Sequence, residues 1–347
     1  MTCGPHAIPY DYLIIATGSA TEYYSVAGAG RFAFPLKTMD DAMVLRNHIL
    51  SCFERAAYIE DAPARKKLLT FSVVGGGPTG VEFTGALSEL IRGPLKKDFP
   101  GISMSDVSIV LVESGERILP MFSPKLSAYA TRKLAAMGAR ALLAASVKNI
   151  TEEGIIFTNG SRLDAATVVW TAGVSGIAPN TKTKMPASPN KRILVLPTLQ
   201  MADHPNVYVA GDLAFREERG APLPMIAPVA IQEGKHAAEN ILRDAAGGNP
   251  RPFSYRDRGA MVTIGRNTAV VRIGAKEFRG FIAWIIWIII HIVNLIGFRN
   301  KLFVIVNWIW DYLFFERSVR LILPGCWNNS KMTGCFHRNA RRSCDGA

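Results

Sequence analysis

The chain has 347 residues, 49% of them hydrophobic, and a formal net charge of +12. That length allows about two domains with real cores. The basic balance comes with neither a basic helix interleaved with stacking aromatics nor zinc-finger spacing. It therefore speaks against nucleic acid and for an anionic membrane surface, where each Lys or Arg is worth about 1 kcal/mol.

The five cysteines, Cys3, Cys52, Cys326, Cys335 and Cys344, are odd in number and form no Cys-x-x-Cys. This argues against a disulfide framework or a redox pair. The wide spacing of the last three, even with His337 nearby, is unlike the tight ligand pairs of zinc sites, and no metal is expected. The first residues lack a basic stretch followed by an apolar run, so no secretory signal is expected there.

Residues 12–16, Tyr-Leu-Ile-Ile-Ala, have buried-strand character and close in Thr17-Gly18. A domain rarely opens in mid-sheet, so partner strands are expected upstream. Residues 40–58 are predicted helical, with Ala42, Leu45, Ile49, Cys52 and Phe53 at helical spacing. The run Val73-Val74-Gly75-Gly76-Gly77-Pro78-Thr79-Gly80-Val81-Glu82 then reads as a strand, a glycine turn and the opening of a helix over 81–91. A strand follows at 107–112 and a helix at 125–137. Further strands are expected around Val147, at 155–157 and at 168–170, with a hairpin turn at Asn159-Gly160. Alternating strands and helices indicate a mostly parallel α/β sheet. The Pro-, Thr- and Lys-rich stretch 181–190 suits a crossover, 207–210 is a strand ending in Gly211-Asp212, and 229–243 is a helix.

The glycine turn carries the first chemistry. A strand-to-helix turn of this kind offers bare backbone N–H groups and a helix dipole to a pyrophosphate. Gly75 permits the tight turn, Gly77 the close approach of the ligand, and Gly80 the packing of helix on strand. Glu113 closes the next strand. A carboxylate there accepts from both ribose hydroxyls and repels a 2′-phosphate, which favours NADH over NADPH; a solvated strand-end acid is the alternative. Its distance from the motif is explained by an insertion over 93–106. Glu82 lies near the helix start, either favouring the dipole or placing a carboxylate beside the nicotinamide.

The end of the chain is apolar and Trp-rich. Residues 281–298 would reach about 27 Å as a helix, near a bilayer's hydrocarbon thickness. However, His291 and Asn294 share a face, as do Asn307 and Asp311, and Arg279, Arg299, Lys301, Arg317 and Arg320 punctuate the runs. Trp284, Trp287, Trp308 and Trp310 suit an interfacial belt. A pair of amphipathic helices in one leaflet is preferred over a spanning helix. His291 reads as a polar-face or interhelical residue before a proton relay.

Three motifs point to a second dinucleotide. The segment Asp11 to Gly18 resembles the point where the FAD domain hands over to the NAD domain in two-dinucleotide flavoproteins. Thr171-Ala172-Gly173 resembles the return on the NADH side. Val209-Ala210-Gly211-Asp212 resembles the second flavin fingerprint, in which the aspartate accepts from the ribityl chain. The resemblance thereby implies Ala16, Thr17, Gly18, Gly211 and Asp212 for FAD, and Thr171, Ala172 and Gly173 for NADH. Met225 to Gly234, Gly75 to Glu82, Glu113 to Pro120 and the region 278–322 are similar to the type II, non-proton-pumping NADH:quinone oxidoreductases, in the family's order over about residues 8–323. Two departures stand out. Pro228 occupies a position where many members carry a second glutamine, and the nine residues given before Tyr10 hold no FAD-binding βαβ unit.

The resemblance implies an α/β fold with two Rossmann-like dinucleotide-binding domains, the FAD domain incomplete and the NAD domain inserted, plus C-terminal membrane-anchoring helices. The expected divisions are 1–69, remainder of the FAD domain; 70–180, NAD(H) domain; 181–260, second part of the FAD domain; 261–323, membrane-associating region; and 324–347, a basic disordered tail. The expected activity is hydride transfer from NADH to FAD and two-electron reduction of a quinone without proton pumping. Gln232 would hydrogen-bond the quinone carbonyl and Glu82 would assist proton supply. The catalytic domains are expected on the cytoplasmic side of the membrane, and a homodimer is compatible with the reading. Two other readings stay open: a membrane-attached NAD(H)-binding remnant without turnover, and an NADH-dependent flavoprotein reductase with a soluble acceptor.

Overall fold

The computed structural model describes residues 2, 3, 6–181, 185–314 and 322. The chain forms two compact units, one of Met1–Glu22, Gly173–Ala260 and Ile273–Ala275, the other of Tyr23–Ala172, Met261–Arg272 and Lys276–Ala347. The expected tail at 324–347, with Cys326, Cys335, His337 and Cys344, lies outside the described residues, as do Arg317 and Arg320.

The larger unit is built on a five-stranded parallel sheet. Its order is Phe34–Pro35, Thr167–Trp170, Thr70–Val74, Ser108–Val112 and Ala139–Leu142. Every residue of Thr70–Val74 is buried, as a strand covered on both faces requires, and this is why it reads as a continuous run instead of an alternating one. Segment 23–69, assigned from sequence to the first division, lies in this unit, where strand Phe34–Pro35 pairs with Thr167–Trp170. The helix Met39–Tyr58 starts at a capping box. Thr38 Oγ1 accepts from Asp41 N, and Asp41 Oδ2 accepts from Thr38 N at 2.8 Å. Its buried face holds Leu45, Ile49, Cys52 and Phe53, as the spacing predicts.

The helix Pro78–Leu90 begins three residues before its expected start, because Pro78 at the first position needs no donor and has a preset φ. It does not stop before the expected insertion. A wide turn over Ile91–Leu95, with Pro94 inside it, carries the chain into Lys96–Asp98. An antiparallel ribbon of Val147–Thr151, Gly154–Phe157 and Arg162–Asp164 follows. Its hairpin turns at Asn159-Gly160, where Gly160 has φ +83°.

Past residue 260 the structure adds a sheet that the sequence did not announce, ahead of the expected pair of helices. A three-stranded sheet of Ala260–Gly265, Thr268–Ile273 and Lys276–Gly280 leads into helices Phe281–Asn294 and Phe298–Phe314. Asn267, at φ +63°, makes the turn between the first two strands. Gly85 of the helix Pro78–Leu90 lies so close to this sheet that a Cβ there would overlap the Ile264 carbonyl oxygen. The apolar run 281–298 is broken at residues 295–297, with Gly297 at φ +82°. Among the described residues no helix is long and apolar enough to cross a membrane.

In the smaller unit, Leu13–Ile15 runs parallel to His204–Val209, which pairs on its other side with Gln200–Met201. Ser19–Thr21 pairs antiparallel with Val174–Gly176. The helix Ala227–Ala245 covers a core that includes Tyr208, Leu199 and Phe253.

Candidate active site

The glycine turn sits at the carboxyl end of Thr70–Val74, between the ends of two neighbouring parallel strands, where open α/β sheets place ligands. Two of its glycines are fixed by the fold. Gly75 has φ +111°, and a Cβ there would lie 2.7 Å from Ala172 Cα. At Gly80 a Cβ would overlap the Gly75 carbonyl oxygen. Gly77 differs, since nothing lies within 4 Å of its would-be Cβ. It opens on a cavity of about 390 Å³ lined by Gly75, Gly77, Glu113, Thr171 and Ala172, with Tyr24 and Met121 among its other walls. This is the kind of bare approach a pyrophosphate requires, so the residues present fit a dinucleotide.

The Glu113 carboxylate is already engaged. Oε2 accepts the Gly76 N–H at 2.7 Å, and Oε1 accepts the Gly115 N–H at 2.7 Å and the Ser114 hydroxyl at 3.2 Å. A carboxylate has about four acceptor sites, so one is left for a ribose hydroxyl. Gly76 N–H is thereby removed from the set that can face a phosphate. Thr171 holds the same turn from the other side. Its hydroxyl donates towards Val74 O at 2.9 Å and Gly75 O at 3.2 Å. Gly173 belongs to the smaller unit, where its carbonyl accepts the Glu22 N–H.

In the smaller unit the two flavin-like motifs leave the carboxyl ends of adjacent parallel strands. Val209 pairs with Ile15, and Ala210 N–H donates to Ile15 O at 3.1 Å. Ala16 and Thr17 are exposed, and the Thr17 hydroxyl donates to Ile177 O. Gly18 and Gly211 both have φ +74°, and the space around Gly18 is open. Asp212 Oδ2 accepts the Ser19 hydroxyl at 2.5 Å. An open Gly18 and a left-handed Gly211 beside a strand-end carboxylate fit a flavin with its ribityl chain.

Gln232 and its neighbour take different parts. The Gln232 amide clips the Arg256 backbone, donating to Arg256 O and accepting Arg256 N–H, both at 3.1 Å. Glu233, which sequence reasoning passed over, meets the flavin-like motif: its Oε2 accepts the Gly211 N–H at 2.7 Å. It is fully buried. Burial pushes its carboxyl up to about 7, against the pull of the Gly211 N–H and of Arg192 and Arg216. The signal was available in the sequence, because Val229, Glu233, Ala237 and Asn240 fall on one helical face, and that face is buried.

Glu82 is the fifth residue of its helix, so the first-turn dipole role does not apply. It is also not among the residues lining the glycine-turn cavity. Its Oε1 accepts from Thr263 N–H at 3.2 Å and from the Thr263 hydroxyl at 3.4 Å. Burial raises its carboxyl, while the Thr263 hydrogen bonds and His291 pull it back. It lines a second, apolar cavity of about 710 Å³ with Glu89, Arg266, Trp284, Trp287 and Trp308. His291 stacks on Trp287 at 3.9 Å between ring centroids, and its Nδ1 donates to Trp287 O at 2.8 Å.

The family described as pyridine nucleotide-disulphide oxidoreductase matches residues 3–234. The type II NADH:quinone oxidoreductase Ndh of Mycobacterium tuberculosis is 38% identical over 323 residues, 89% of this chain and 68% of that protein. NdhA of the same organism is 36% identical over 314 residues, 86% of this chain and 66% of that protein. The internal alternative NAD(P)H-ubiquinone oxidoreductase A1 of Arabidopsis thaliana is 30% identical over 329 residues, 88% of this chain and 64% of that protein. The chain thus spans about two thirds of the length of these relatives. The structure of NDH2 from Plasmodium falciparum in complex with NADH superposes with a TM-score of 0.80 over 91% of this chain and 80% of that chain. At 19% identity that likeness shows the fold alone.

Proposed function

Because this chain belongs to the type II NADH:quinone oxidoreductases, within the pyridine nucleotide-disulphide oxidoreductase family, we propose that it oxidises NADH and reduces a membrane quinone without pumping protons. The cofactor FAD, when bound, supplies the redox chemistry by accepting the hydride and passing on two electrons. The protein's own residues bind and orient.

The observation that carries this reading is the open face of Gly77 over its cavity, beside a Glu113 carboxylate with one acceptor site unused. Gly77 and the first turn of helix Pro78–Leu90 would hold the pyrophosphate, and Glu113 the ribose. Thr171 and Ala172 shape the turn from behind. Gly18 and Gly211 would let the flavin approach, with Asp212 as acceptor for its ribityl hydroxyls. Gln232 and Glu82 remain our candidates for the quinone carbonyl and for proton supply. A carboxyl raised by burial, as Glu82 is, suits the latter role.

The helices Phe281–Asn294 and Phe298–Phe314 would lie in the membrane interface. Their exposed Phe281, Ile282, Val293, Phe298 and Phe303, flanked by Arg279, Arg299 and Lys301, support this placement. The catalytic units would face the cytoplasmic pool of NADH. The test is NADH-dependent quinone reduction in anionic vesicles: activity that needs both substrates supports the proposal, and NADH oxidation that ignores quinone refutes it.

A further inference from the structure

Glu233 is tied to the flavin-like turn through one oxygen only. Oε2 accepts the Gly211 N–H at 2.7 Å, whereas Oε1 is buried and has no hydrogen-bond partner among the described residues. Ala230, one turn earlier on the same helix face, lies 3.4 Å from the position a Gly211 Cβ would take. The Gly211 turn therefore rests directly on this face of the helix.

The charges that act on Glu233 come from three segments. Asp212 follows Gly211 in the turn, Arg192 precedes the strand Ile193–Leu194, and Arg216 follows the strand Ala214–Phe215. Arg192 is itself buried. It gives Nη1 to Leu223 O at 3.0 Å and Nη2 to Ala214 O at 2.5 Å, and its Nε has no hydrogen-bond partner among the described residues. Arg216 gives Nη1 to Phe253 O. Both guanidiniums are anchored on backbone carbonyls and favour an ionised Glu233, while burial and Asp212 favour the neutral acid. A carboxyl balanced in this way near neutrality changes state when a unit of charge arrives nearby in a poorly screened interior.

We infer, resting on the flavin reading of Gly211-Asp212, that Glu233 is a proton-holding site of the reductase. It takes up one proton, drawn ultimately from the medium, when hydride transfer brings negative charge to the flavin, and gives it up when the electrons leave. The sum is NADH, one proton and quinone giving NAD+ and quinol. The hydride carries two electrons and one of the two quinol hydrogens, and the other arrives as a proton. Glu233 holds that proton between the two half-reactions, as COOH in place of COO−.

The experiment is a reduced-minus-oxidised infrared difference spectrum of the flavin-loaded enzyme at neutral pH, paired with the pH dependence of its flavin potential. Reduction of the wild type is expected to add a protonated-carboxyl band. Glu233→Gln, which keeps an acceptor oxygen for Gly211 N–H, is expected to lose that band and the corresponding proton from the potential–pH slope. A wild type without the band, or a band and slope unchanged in the variant, overturns the proposal. Should Glu233→Gln fail to retain flavin, Glu233→Asp must shift the band, and an unshifted band overturns the proposal as well. A wild-type enzyme that binds no FAD overturns the flavin reading itself, an outcome distinct from a flavin-loaded enzyme without the band.

Discussion

Glu113 Oε2 accepts the Gly76 N–H at 2.7 Å, so the carboxylate proposed to bind ribose also sets the glycine turn proposed to face the pyrophosphate. Glu113→Gln places an NH₂ against one of the two backbone N–H groups it now accepts, Gly76 or Gly115. Losing one charge-assisted hydrogen bond costs about 1.5–3 kcal/mol. The KM for NADH is expected to rise roughly 10- to 100-fold, and the preference over NADPH to shrink. Steady-state kinetics with both nucleotides checks this, and an unchanged preference removes Glu113 from the ribose.

Gly77 and Gly80 separate binding from folding. Gly80→Ala overlaps the Gly75 carbonyl and should cost several kcal/mol of stability, of the order of an overpacked core. Gly77→Ala meets no protein atom within 4 Å, so the melting temperature should hold while NADH affinity falls. Thermal melts alongside NADH titration distinguish the two. Equal NADH affinity in Gly77→Ala would show that the ligand does not approach there.

The raised Glu233 carboxyl makes stability depend on pH in a stated direction. Its value is about 7 folded against an ordinary 4.5, so the folded state holds the proton more tightly. The contribution is fully present below pH 4.5 and is lost as pH rises through 7. The loss is about 3 kcal/mol at roughly 1.4 kcal/mol per unit. Relative to Glu233→Gln, the wild type should lose stability between pH 5 and 8. Denaturant melts across that range give the difference, and a flat difference contradicts the shift.

The proposed membrane attachment should depend on exposed side chains of the helix Phe281–Asn294. Ile282 and Val293 are 65% and 63% exposed. Replacing both with Glu removes apolar burial worth about 1.5–3 kcal/mol each and adds repulsion from anionic lipid. Vesicle co-sedimentation should fall at least tenfold, while NADH oxidation with a soluble dye acceptor persists. Undiminished sedimentation would place the membrane contact elsewhere.

The sequence made the glycine turn legible because strand, turn and helix each leave a local mark, and the structure shows why. The strand is buried on both faces, and Gly75 and Gly80 have no room for a side chain. Glu113 was legible as a strand-end acid, but its bonds to Gly76 and Gly115 were not, because they depend on how the loop after the strand folds back. The surroundings of Glu82 were not legible for two reasons. The helix begins at Pro78. The sheet that supplies Thr263 has strands of mixed burial that leave a weak alternating pattern. Glu233 stayed hidden because the segment was read for Gln232, whose amide the fold turns to the Arg256 backbone.

In the proposed reaction NADH reduces the bound flavin, which passes its electrons to quinone. Anaerobic addition of NADH to the flavin-loaded enzyme mixed with anionic vesicles should bleach its flavin absorbance at once, and a following addition of quinone should restore it. A flavin that stays oxidised with NADH, or stays bleached with quinone, contradicts the account.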